Sequence, residues 1–283
     1  MNRKSDITVI RASTMGFCMG VRRVMQIVYD LLDSEKEKPI CTLGPLIHNR
    51  LVLQELEMLG VRQVETPGEV DRGTVVIRAH GVPPLVRKAF EEKKIKIVDG
   101  TCPRVLRSQK IVREHSEKGG HTIIVGDENH GEVKAIAGYA VSPLKVVQDI
   151  RQAENLTIRD NTLVIGQTTL TQEEYELILS VFSRKNSNIT ICQSICPATQ
   201  KRQQALTDLC RKVDAVIVIG GKESSNTRRL FLTAEKEVGA AWHIEEAREI
   251  PEELKRYRII GITAGASTPD WIIDEVEEMI VRL

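Results

Sequence analysis

The stretch Gly100–Arg107, which reads GTCPRVLR, follows the apolar run IKIV and places a cysteine at the start of a predicted helix. The N-terminus of a helix carries free N–H groups and the positive end of the helix dipole, so it stabilises a thiolate. Two other cysteines, in TVIRASTMGFC and ITICQSIC, also follow a short β-branched strand and precede a helical pattern. These three residues, Cys18, Cys102 and Cys196, are 84 and 94 residues apart in a chain of 283, which indicates a threefold repeat.

The segments that follow the three cysteines share one order of predicted elements. After each cysteine helix comes a strand that ends in glycine and a polar loop, as in ICTLGPLIHN, TIIVGDENHGE and AVIVIGGKESSN. A later strand runs into a turn and a new helix, as in VVIRAHGVPP, LVIGQTTLTQEE and IIGITAGASTPD. Pro83, Pro269 and a capping box of Thr171 with Glu174 mark these helix starts. Units of the type β-α-β-α-β form small parallel sheets.

The repeat predicts an α/β fold with three lobes related by a pseudo-threefold axis. Each lobe is expected to be a small, mainly parallel sheet with flanking helices. The predicted lobes are residues 18–101, 102–195 and 196–283, and the third is completed by the N-terminal strand within residues 1–17. Because parallel sheets carry functional loops at the carboxyl ends of their strands, those ends would face a common centre.

The composition excludes several classes of protein. With 41% apolar residues, 28% charged residues and a net charge of +1, the chain is typical of a globular protein and does not favour a nucleic-acid partner. The N-terminus is too polar for a signal peptide, and no apolar run reaches the ~20 residues that a membrane span needs. The six cysteines are therefore expected to be reduced thiols or metal ligands rather than disulfides. The sequence predicts a soluble, cytoplasmic protein without a membrane partner.

Three converging thiolates predict a metal centre, since soft sulfur ligands select zinc, copper or an iron–sulfur cluster. The close C-x2-C pairs of structural zinc sites are absent, and wide spacing fits a cubane iron–sulfur cluster with one iron not ligated by protein. A single cysteine of this kind could also be a small buried core residue, which is our interpretation of Cys41 and Cys210. Cys192, four residues before Cys196, is an alternative ligand that has no counterpart in the other two units.

The loops at equivalent repeat positions carry neutral groups that bind anions. Hydroxyls, amides, imidazoles and helix N-termini together form a cradle for phosphate or diphosphate, although Ser, Thr and Asn could also serve only as helix caps. Glu132 is the one carboxylate near the predicted centre, and it could either stabilise a first helix turn or donate a proton. The candidate ligand-binding residues are His48, His80, His130, Thr168, Ser224, Ser225, Asn226 and Ser267. The other histidines, His115, His121 and His243, match no repeat position and are expected on the surface or in packing.

Eight segments resemble, in the same order, those of the 4-hydroxy-3-methylbut-2-enyl diphosphate reductase family, also called the IspH or LytB family. They are GFCMGVRRV, GPLIHN, AHGVPP, TCPRV, QTTL, ICPATQKRQ, SSNTRRL and AGASTPD, and the similarity extends over essentially the whole chain. The resemblance implies a cytoplasmic three-lobed enzyme with a [4Fe–4S] cluster on Cys18, Cys102 and Cys196. It also implies reductive removal of a hydroxyl from an allylic diphosphate, which gives isopentenyl and dimethylallyl diphosphates. This is the last step of the methylerythritol phosphate route to isoprenoids, and ferredoxin or flavodoxin supplies the electrons.

The resemblance also implies a role for each candidate residue. Diphosphate binding would fall to His48, His80, Ser224, Ser225, Asn226 and Ser267. His130 would lie near the substrate hydroxyl, Thr168 would belong to a proton network, and Glu132 would deliver protons. This chain departs from many relatives at Gly131, where they have proline, and less importantly at Gly100, where they commonly have alanine.

Two rival functions fit part of the pattern. A cluster-dependent hydro-lyase also uses an open iron, but its carboxylate substrates favour arginines in the pocket, and Arg78 is the nearest arginine in sequence. A non-catalytic iron–sulfur sensor would need an output surface such as a DNA-reading helix, and the sequence has no sign of one. The reductase is therefore the favoured interpretation.

Overall fold

The structure is a computed structural model that describes residues 7–34 and 36–283. Residues 1–6 of the predicted N-terminal segment lie outside the described residues. The strands are β1 (Thr8–Arg11), β2 (Ile40–Leu43), β3 (Val61–Val64), β4 (Thr74–Ile77), β5 (Lys96–Asp99), β6 (His121–Val125), β7 (Leu144–Val147), β8 (Thr162–Gly166), β9 (Ile189–Cys192), β10 (Ala215–Ile219), β11 (Ala241–Ile244) and β12 (Ile259–Ala264). The α-helices are α1 (Met19–Ser34), α2 (Arg50–Met58), α3 (Pro84–Glu92), α4 (Pro103–Glu117), α5 (Gly131–Ala137), α6 (Ile150–Asn155), α7 (Gln172–Lys185), α8 (Pro197–Cys210), α9 (Ser225–Val238) and α10 (Asp270–Val281).

Within the described residues the strands form three four-stranded sheets with one shared order. The orders are β3-β2-β4-β5, β7-β6-β8-β9 and β11-β10-β12-β1. Every strand pair in the three sheets is parallel. The predicted α/β class with three small parallel sheets is confirmed.

The N-terminal strand completes the third sheet, as the repeat predicted. Strand β1 pairs in parallel with β12, and its register places Thr8 opposite Ile259 and Arg11 opposite Ile262. The chain then ends with helix α10, which packs against β1. The first and last parts of the chain therefore share one sheet.

Each sheet contains one edge strand that the sequence pattern missed. These strands, β3, β7 and β11, have four residues each, and their burial is mixed. In contrast, β4, β8 and β10 are buried at every residue and read as continuous apolar or β-branched runs. A parallel strand buried on both faces gives a strong sequence signal, whereas a short half-exposed edge strand gives a weak one.

The predicted helix starts are found with small differences in position. Helix α7 begins with the expected capping box, in which the Glu174 N–H donates to Thr171 Oγ1 at 3.0 Å and the Thr171 N–H donates to Glu174 Oε2 at 2.9 Å. Pro83 and Pro269 are the N-cap residues of α3 and α10 rather than their first residues. Both prolines have extended backbone angles, which end the preceding loop and start the helix.

The described chain divides into two compact units. One contains residues 7–21, 47–54 and 197–283 and holds the third sheet. The other contains residues 22–46 and 55–196, apart from residue 35, and holds the first and second sheets. No helix in the described residues is long and apolar enough to cross a membrane. The lobe boundaries at residues 18, 102 and 196 stay a prediction.

Candidate active site

The strand order places a ligand-binding edge at the same point in each sheet. In each sheet the chain runs from one inner strand (β2, β6 or β10) to the edge strand beside it, and then returns to the other inner strand (β4, β8 or β12). Ligands bind at the carboxyl ends of the strands beside such a switch point. All candidate residues follow these paired strands. His48 and His80 follow β2 and β4, His130, Glu132 and Thr168 follow β6 and β8, and Ser224, Ser225, Asn226 and Ser267 follow β10 and β12.

The three repeat cysteines occupy equivalent backbone positions. Each follows the last strand of its sheet, and its N–H donates to the carbonyl two residues beyond the end of the third strand. These bonds run from Cys18 to Ala266 at 3.1 Å, from Cys102 to Ala79 at 3.0 Å and from Cys196 to Thr168 at 3.0 Å. The repeat inferred from sequence spacing is therefore a repeat of local structure.

The six cysteines fall into two chemical groups. Cys18, Cys102 and Cys196 are half-buried, and a helix of at least 14 residues begins directly after each one. For the other three, burial raises the pKa of the thiol: it does so for Cys41 and Cys192, and it raises the pKa of Cys210 to about 11. The raised pKa makes the thiolate of these three residues harder to form, which disfavours metal binding.

Glu132, in α5, and Thr168, in the loop after β8, form a two-point contact. Glu132, which is 2% exposed, accepts the Thr168 N–H on Oε1 at 2.7 Å, and its Oε2 lies 2.8 Å from Thr168 Oγ1. Because an N–H can only donate, a proton on this carboxyl group would reside on Oε2, facing the Thr168 hydroxyl. The Thr168 carbonyl accepts the N–H of Cys196, so the acid, the hydroxyl and a repeat cysteine are directly linked.

His130 and His80 form a pair next to this contact. Their rings meet edge to face, with centroids 5.1 Å apart and an interplanar angle of 89°. His130 is the N-cap residue of α5, and its Nδ1 accepts the Glu132 N–H at 3.2 Å. In the neutral ring the proton is therefore on Nε2, which makes Nε2 a hydrogen-bond donor.

The third sheet contributes a helix N-terminus and buried hydroxyl and amide groups. Ser224 caps α9 by accepting the Thr227 N–H at 3.3 Å, and Ser225 and Asn226 open that 14-residue helix. Asn226 is 5% exposed, and its Nδ2 has no hydrogen-bond partner in the described part of the chain. A buried amide left unsatisfied is costly, so this group points to an acceptor supplied by a ligand.

His48 is held by residues of the same unit. The Ser267 hydroxyl donates to the His48 carbonyl oxygen at 2.9 Å. Gly221 also lies close to the His48 carbonyl oxygen, and a Cβ atom at position 221 would collide with that oxygen. The next residue, Asn49, accepts the Val52 N–H at 3.2 Å and so caps the start of α2. The IHN segment is thus fixed on both sides of His48.

Gln167 is a site residue that the sequence analysis missed. Its side chain is fully buried, its Oε1 accepts the Asp127 N–H at 3.1 Å, and its Nε2 donates to Thr169 Oγ1 at 2.8 Å. It therefore ties the loop after β6 to the loop after β8, on which His130 and Thr168 lie. The available signal was a polar residue directly after a strand that is buried throughout.

Arg78 occupies the space beside Gly131. A Cβ atom on Gly131 would lie 2.6 Å from Arg78 Nη2, and one on Gly44 would lie 2.6 Å from Nη1. The guanidinium group therefore occupies space that two glycines leave open. Its Nε is buried without a hydrogen-bond partner in the described residues, and burial lowers the pKa of Arg78. A larger residue at position 131 would require the guanidinium to move.

His243 positions the loop after β10, although it matches no repeat position. Its Nε2 lies 2.8 Å from the Gly220 carbonyl oxygen, and its ring packs at 5.9 Å from that of Phe231. Burial lowers the pKa of His243, with a smaller opposing effect of the Gly220 carbonyl. His243 therefore has the expected packing role, and it also forms a hydrogen bond to the loop that carries Ser224.

The His243 environment predicts a pH dependence of stability. Because its pKa is lower in the folded protein, the unfolded chain binds more protons below about pH 6.5, and the free energy of unfolding should decrease as the pH falls there. Urea unfolding between about pH 7.5 and 5.5 measures this slope. His243→Gln should flatten it and His121→Gln should not. Equal slopes in both variants would contradict the assignment.

Comparison with known proteins places the chain in a family. The family model described as LytB protein matches residues 9–281. The chain belongs to the LytB family. It is 42% identical to the 4-hydroxy-3-methylbut-2-enyl diphosphate reductase of Treponema denticola, over 98% of this chain and 100% of the relative. It is also 42% identical to the reductase of the same name from Caldanaerobacter subterraneus, over 97% of each chain.

Solved structures agree with this membership of the LytB family. The structure of (E)-4-hydroxy-3-methyl-but-2-enyl diphosphate reductase, described as the terminal enzyme of the non-mevalonate pathway, is 34% identical with a TM-score of 0.73. It covers 98% of this chain and 100% of that chain. The reductase structure from Plasmodium falciparum is 28% identical with a TM-score of 0.90, over 97% of this chain and 87% of that one. The family resemblance of the eight sequence segments is confirmed.

Proposed function

We propose that the protein reduces 4-hydroxy-3-methylbut-2-enyl diphosphate to isopentenyl and dimethylallyl diphosphates, the last step of the methylerythritol phosphate route. The observation that carries the proposal is the match of nearly the whole chain to relatives of this name over nearly their whole length. The reaction takes place in the cytoplasm, with ferredoxin or flavodoxin as the electron donor. The substrate hydroxyl leaves as water, which requires two electrons and two protons.

The cysteines fit the iron–sulfur cofactor that this reaction needs. We propose that Cys18, Cys102 and Cys196 hold a [4Fe–4S] cluster with one iron not ligated by protein. Their shared backbone bond and helix starts support this set, and the raised pKa values of Cys41, Cys192 and Cys210 argue against the others. When bound, such a cluster supplies the electrons and a Lewis-acid iron for the substrate oxygen.

The diphosphate is bound by neutral donors. His48, His80, Ser224, Ser225, Asn226 and Ser267 are the residues assigned to it. The N-terminus of α9 offers free N–H groups and the positive end of the helix dipole, which favour a phosphate group. The unsatisfied Asn226 Nδ2 is the most specific support, because a phosphoryl oxygen would give it the acceptor that the protein lacks.

Protons reach the substrate through Glu132 and Thr168. A proton on Glu132 Oε2 faces Thr168 Oγ1 at 2.8 Å, so the hydroxyl can accept it and pass its own proton onward. His130, with its neutral ring protonated on Nε2, donates to the substrate hydroxyl and orients it. Because Glu132 and Thr168 are buried, bulk water does not exchange protons with them during this transfer.

An anaerobic turnover assay tests the proposed function. The purified protein is reconstituted with iron and sulfide, then mixed with 4-hydroxy-3-methylbut-2-enyl diphosphate and a reduced viologen dye. Dye oxidation together with formation of both diphosphate products is expected. A protein with a full complement of iron that forms neither product would contradict the proposal.

Asn226→Ala is expected to weaken substrate binding. Loss of a hydrogen bond to a charged phosphoryl oxygen costs about 1.5–3 kcal/mol, which corresponds to about a ten- to hundredfold rise in KM. Steady-state kinetics with the viologen dye measure KM and kcat separately. Asn155→Ala, on the exposed end of α6, removes an amide far in sequence from the site and should leave KM unchanged. An unchanged KM in Asn226→Ala would remove this residue from the diphosphate site.

A further inference from the structure

The start of helix α4 presents exposed cations beside Cys102. Arg104, Leu106 and Arg107 are exposed on the first two turns, and Leu106 is 42% exposed. Neither arginine makes an ion pair or a side-chain hydrogen bond with the described residues. The sequence has no Asp or Glu between residues 101 and 113. The region that follows Cys102 is therefore positive and lacks a carboxylate of its own.

A third cation reaches the same place from helix α1. Arg23 is exposed, and it donates to the carbonyl oxygens of Asp99 at 3.2 Å and Thr101 at 3.3 Å, just before Cys102. Carbonyl oxygens do not neutralise its charge. The nearby carboxylate of Asp99 is already bound by Arg87 at 2.7 Å and by the Thr101 N–H at 2.9 Å. We call Arg23, Arg104, Leu106 and Arg107 the Cys102 surface.

Helix stability does not account for the charges of the Cys102 surface. Cations near a helix N-terminus oppose the helix dipole, so Arg104 and Arg107 are placed unfavourably for the helix itself. Further along α4 the cations are paired, with Arg113 at 2.8 Å from Glu117 and Lys110 at 3.7 Å from Glu114. The unpaired cations are therefore concentrated at the end of the helix that carries Cys102.

We propose that the Cys102 surface is the docking site of a small acidic electron-transfer protein. The inference rests on the proposed reductase function, in which each substrate takes up two electrons and two protons and releases one water. A one-electron carrier must therefore dock, transfer one electron and leave oxidised twice for each product. Opposite charge steers such a carrier to Arg104 and Arg107, which are three residues apart and share a face of α4. The exposed Leu106, which follows on the helix surface beside Arg107, adds an apolar group for the interface.

The test compares binding of an oxidised, acidic plant-type ferredoxin to the holoenzyme and to two variants. The double variant Arg104→Glu/Arg107→Glu reverses the charge of both arginines of the surface, and Arg184→Glu reverses the charge of one exposed arginine at the C-terminal end of α7. Isothermal titration should show binding weakened about tenfold or more in the double variant at low salt, with the difference shrinking at high salt. Arg184→Glu should bind like the unchanged protein.

Turnover with the reduced viologen dye separates docking from catalysis. The dye needs no docking surface, so the double variant should retain its dye-linked turnover while losing turnover driven by reduced ferredoxin. Equal ferredoxin affinity in the double variant and Arg184→Glu would overturn the proposal, as would a holoenzyme that binds no ferredoxin but turns over with the dye. If dye-linked turnover also falls in the double variant, ferredoxin binding is measured in the neutral variant Arg104→Gln/Arg107→Gln. Binding as tight as that of the unchanged protein would then also overturn the docking proposal. Absence of any turnover in the unchanged protein would instead refute the reductase function.

Discussion

Replacing Cys102 with serine is expected to abolish both cluster binding and turnover, and the same holds for Cys18→Ser and Cys196→Ser. The serine hydroxyl has nearly the same size, but it is a harder ligand that keeps its proton at neutral pH, so it does not replace a thiolate on iron. Iron and acid-labile sulfide analysis of anaerobically purified protein, with Mössbauer spectra, measures the loss. The three variants should fold, because their backbone N–H bonds to Ala266, Ala79 and Thr168 do not involve the side chain.

The remaining cysteines provide matched controls for this experiment. Cys192→Ser and Cys210→Ser change thiols whose pKa values are raised by burial, so both should retain the iron content of the unchanged protein. Cys192→Ser is the more stringent control, since Cys192 is only four residues from Cys196. Full iron loss in Cys192→Ser, or full iron in Cys102→Ser, would show that the ligand set is wrong.

Glu132→Gln is expected to lower kcat by about 10²–10⁴ while the cluster stays in place, because general acid catalysis contributes about that factor. Glutamine can still accept the Thr168 N–H on its carbonyl oxygen and can donate to Thr168 Oγ1, so the two contacts that link Glu132 to this loop are conserved. Only the transferable proton is removed. Steady-state kinetics with the viologen dye, together with iron analysis, measure the two effects separately.

A second glutamate tests whether the effect is specific. Glu128→Gln makes the same change on an exposed residue of the loop after β6, and it should leave kcat unaltered. KM for the diphosphate should change little in Glu132→Gln, since the residue is not assigned to diphosphate binding. If Glu132→Gln kept full turnover, Glu132 would be limited to holding the Thr168 loop.

The repeat was readable from the sequence because its signals are local. A strand buried on both faces is a run of apolar and β-branched residues, a helix start is a proline or a capping box, and a cysteine between them has a fixed offset from both. The four-residue edge strands lacked such a signal. Strand β3, VRQV, has buried ends and exposed central residues, so its identity as a strand depends on β2, which lies beside it.

Among the candidate site residues, too, some have a local sequence signal and others do not. Cys102 could be proposed from its position at a helix start, His130 from its loop at an equivalent repeat position, and Glu132 from its place two residues after His130. Gln167, Gly221 and Arg78 could not, because their roles depend on partners 40 or more residues away or on the space around them. The sequence also left open whether Glu132 only stabilises the first turn of its helix or donates a proton. The structure adds that the carboxyl group contacts Thr168, 36 residues further along the chain.

The sequence by itself determined the parallel α/β class, the threefold repeat, the residue types of the site and the family. These follow from patterns within a few residues, which the backbone geometry of helices and strands imposes on every chain. Only the tertiary structure decided that Glu132 meets Thr168 and that Asn226 keeps an unsatisfied buried amide. Such contacts depend on which surfaces the sheets and helices bury against each other, and no local pattern encodes that choice.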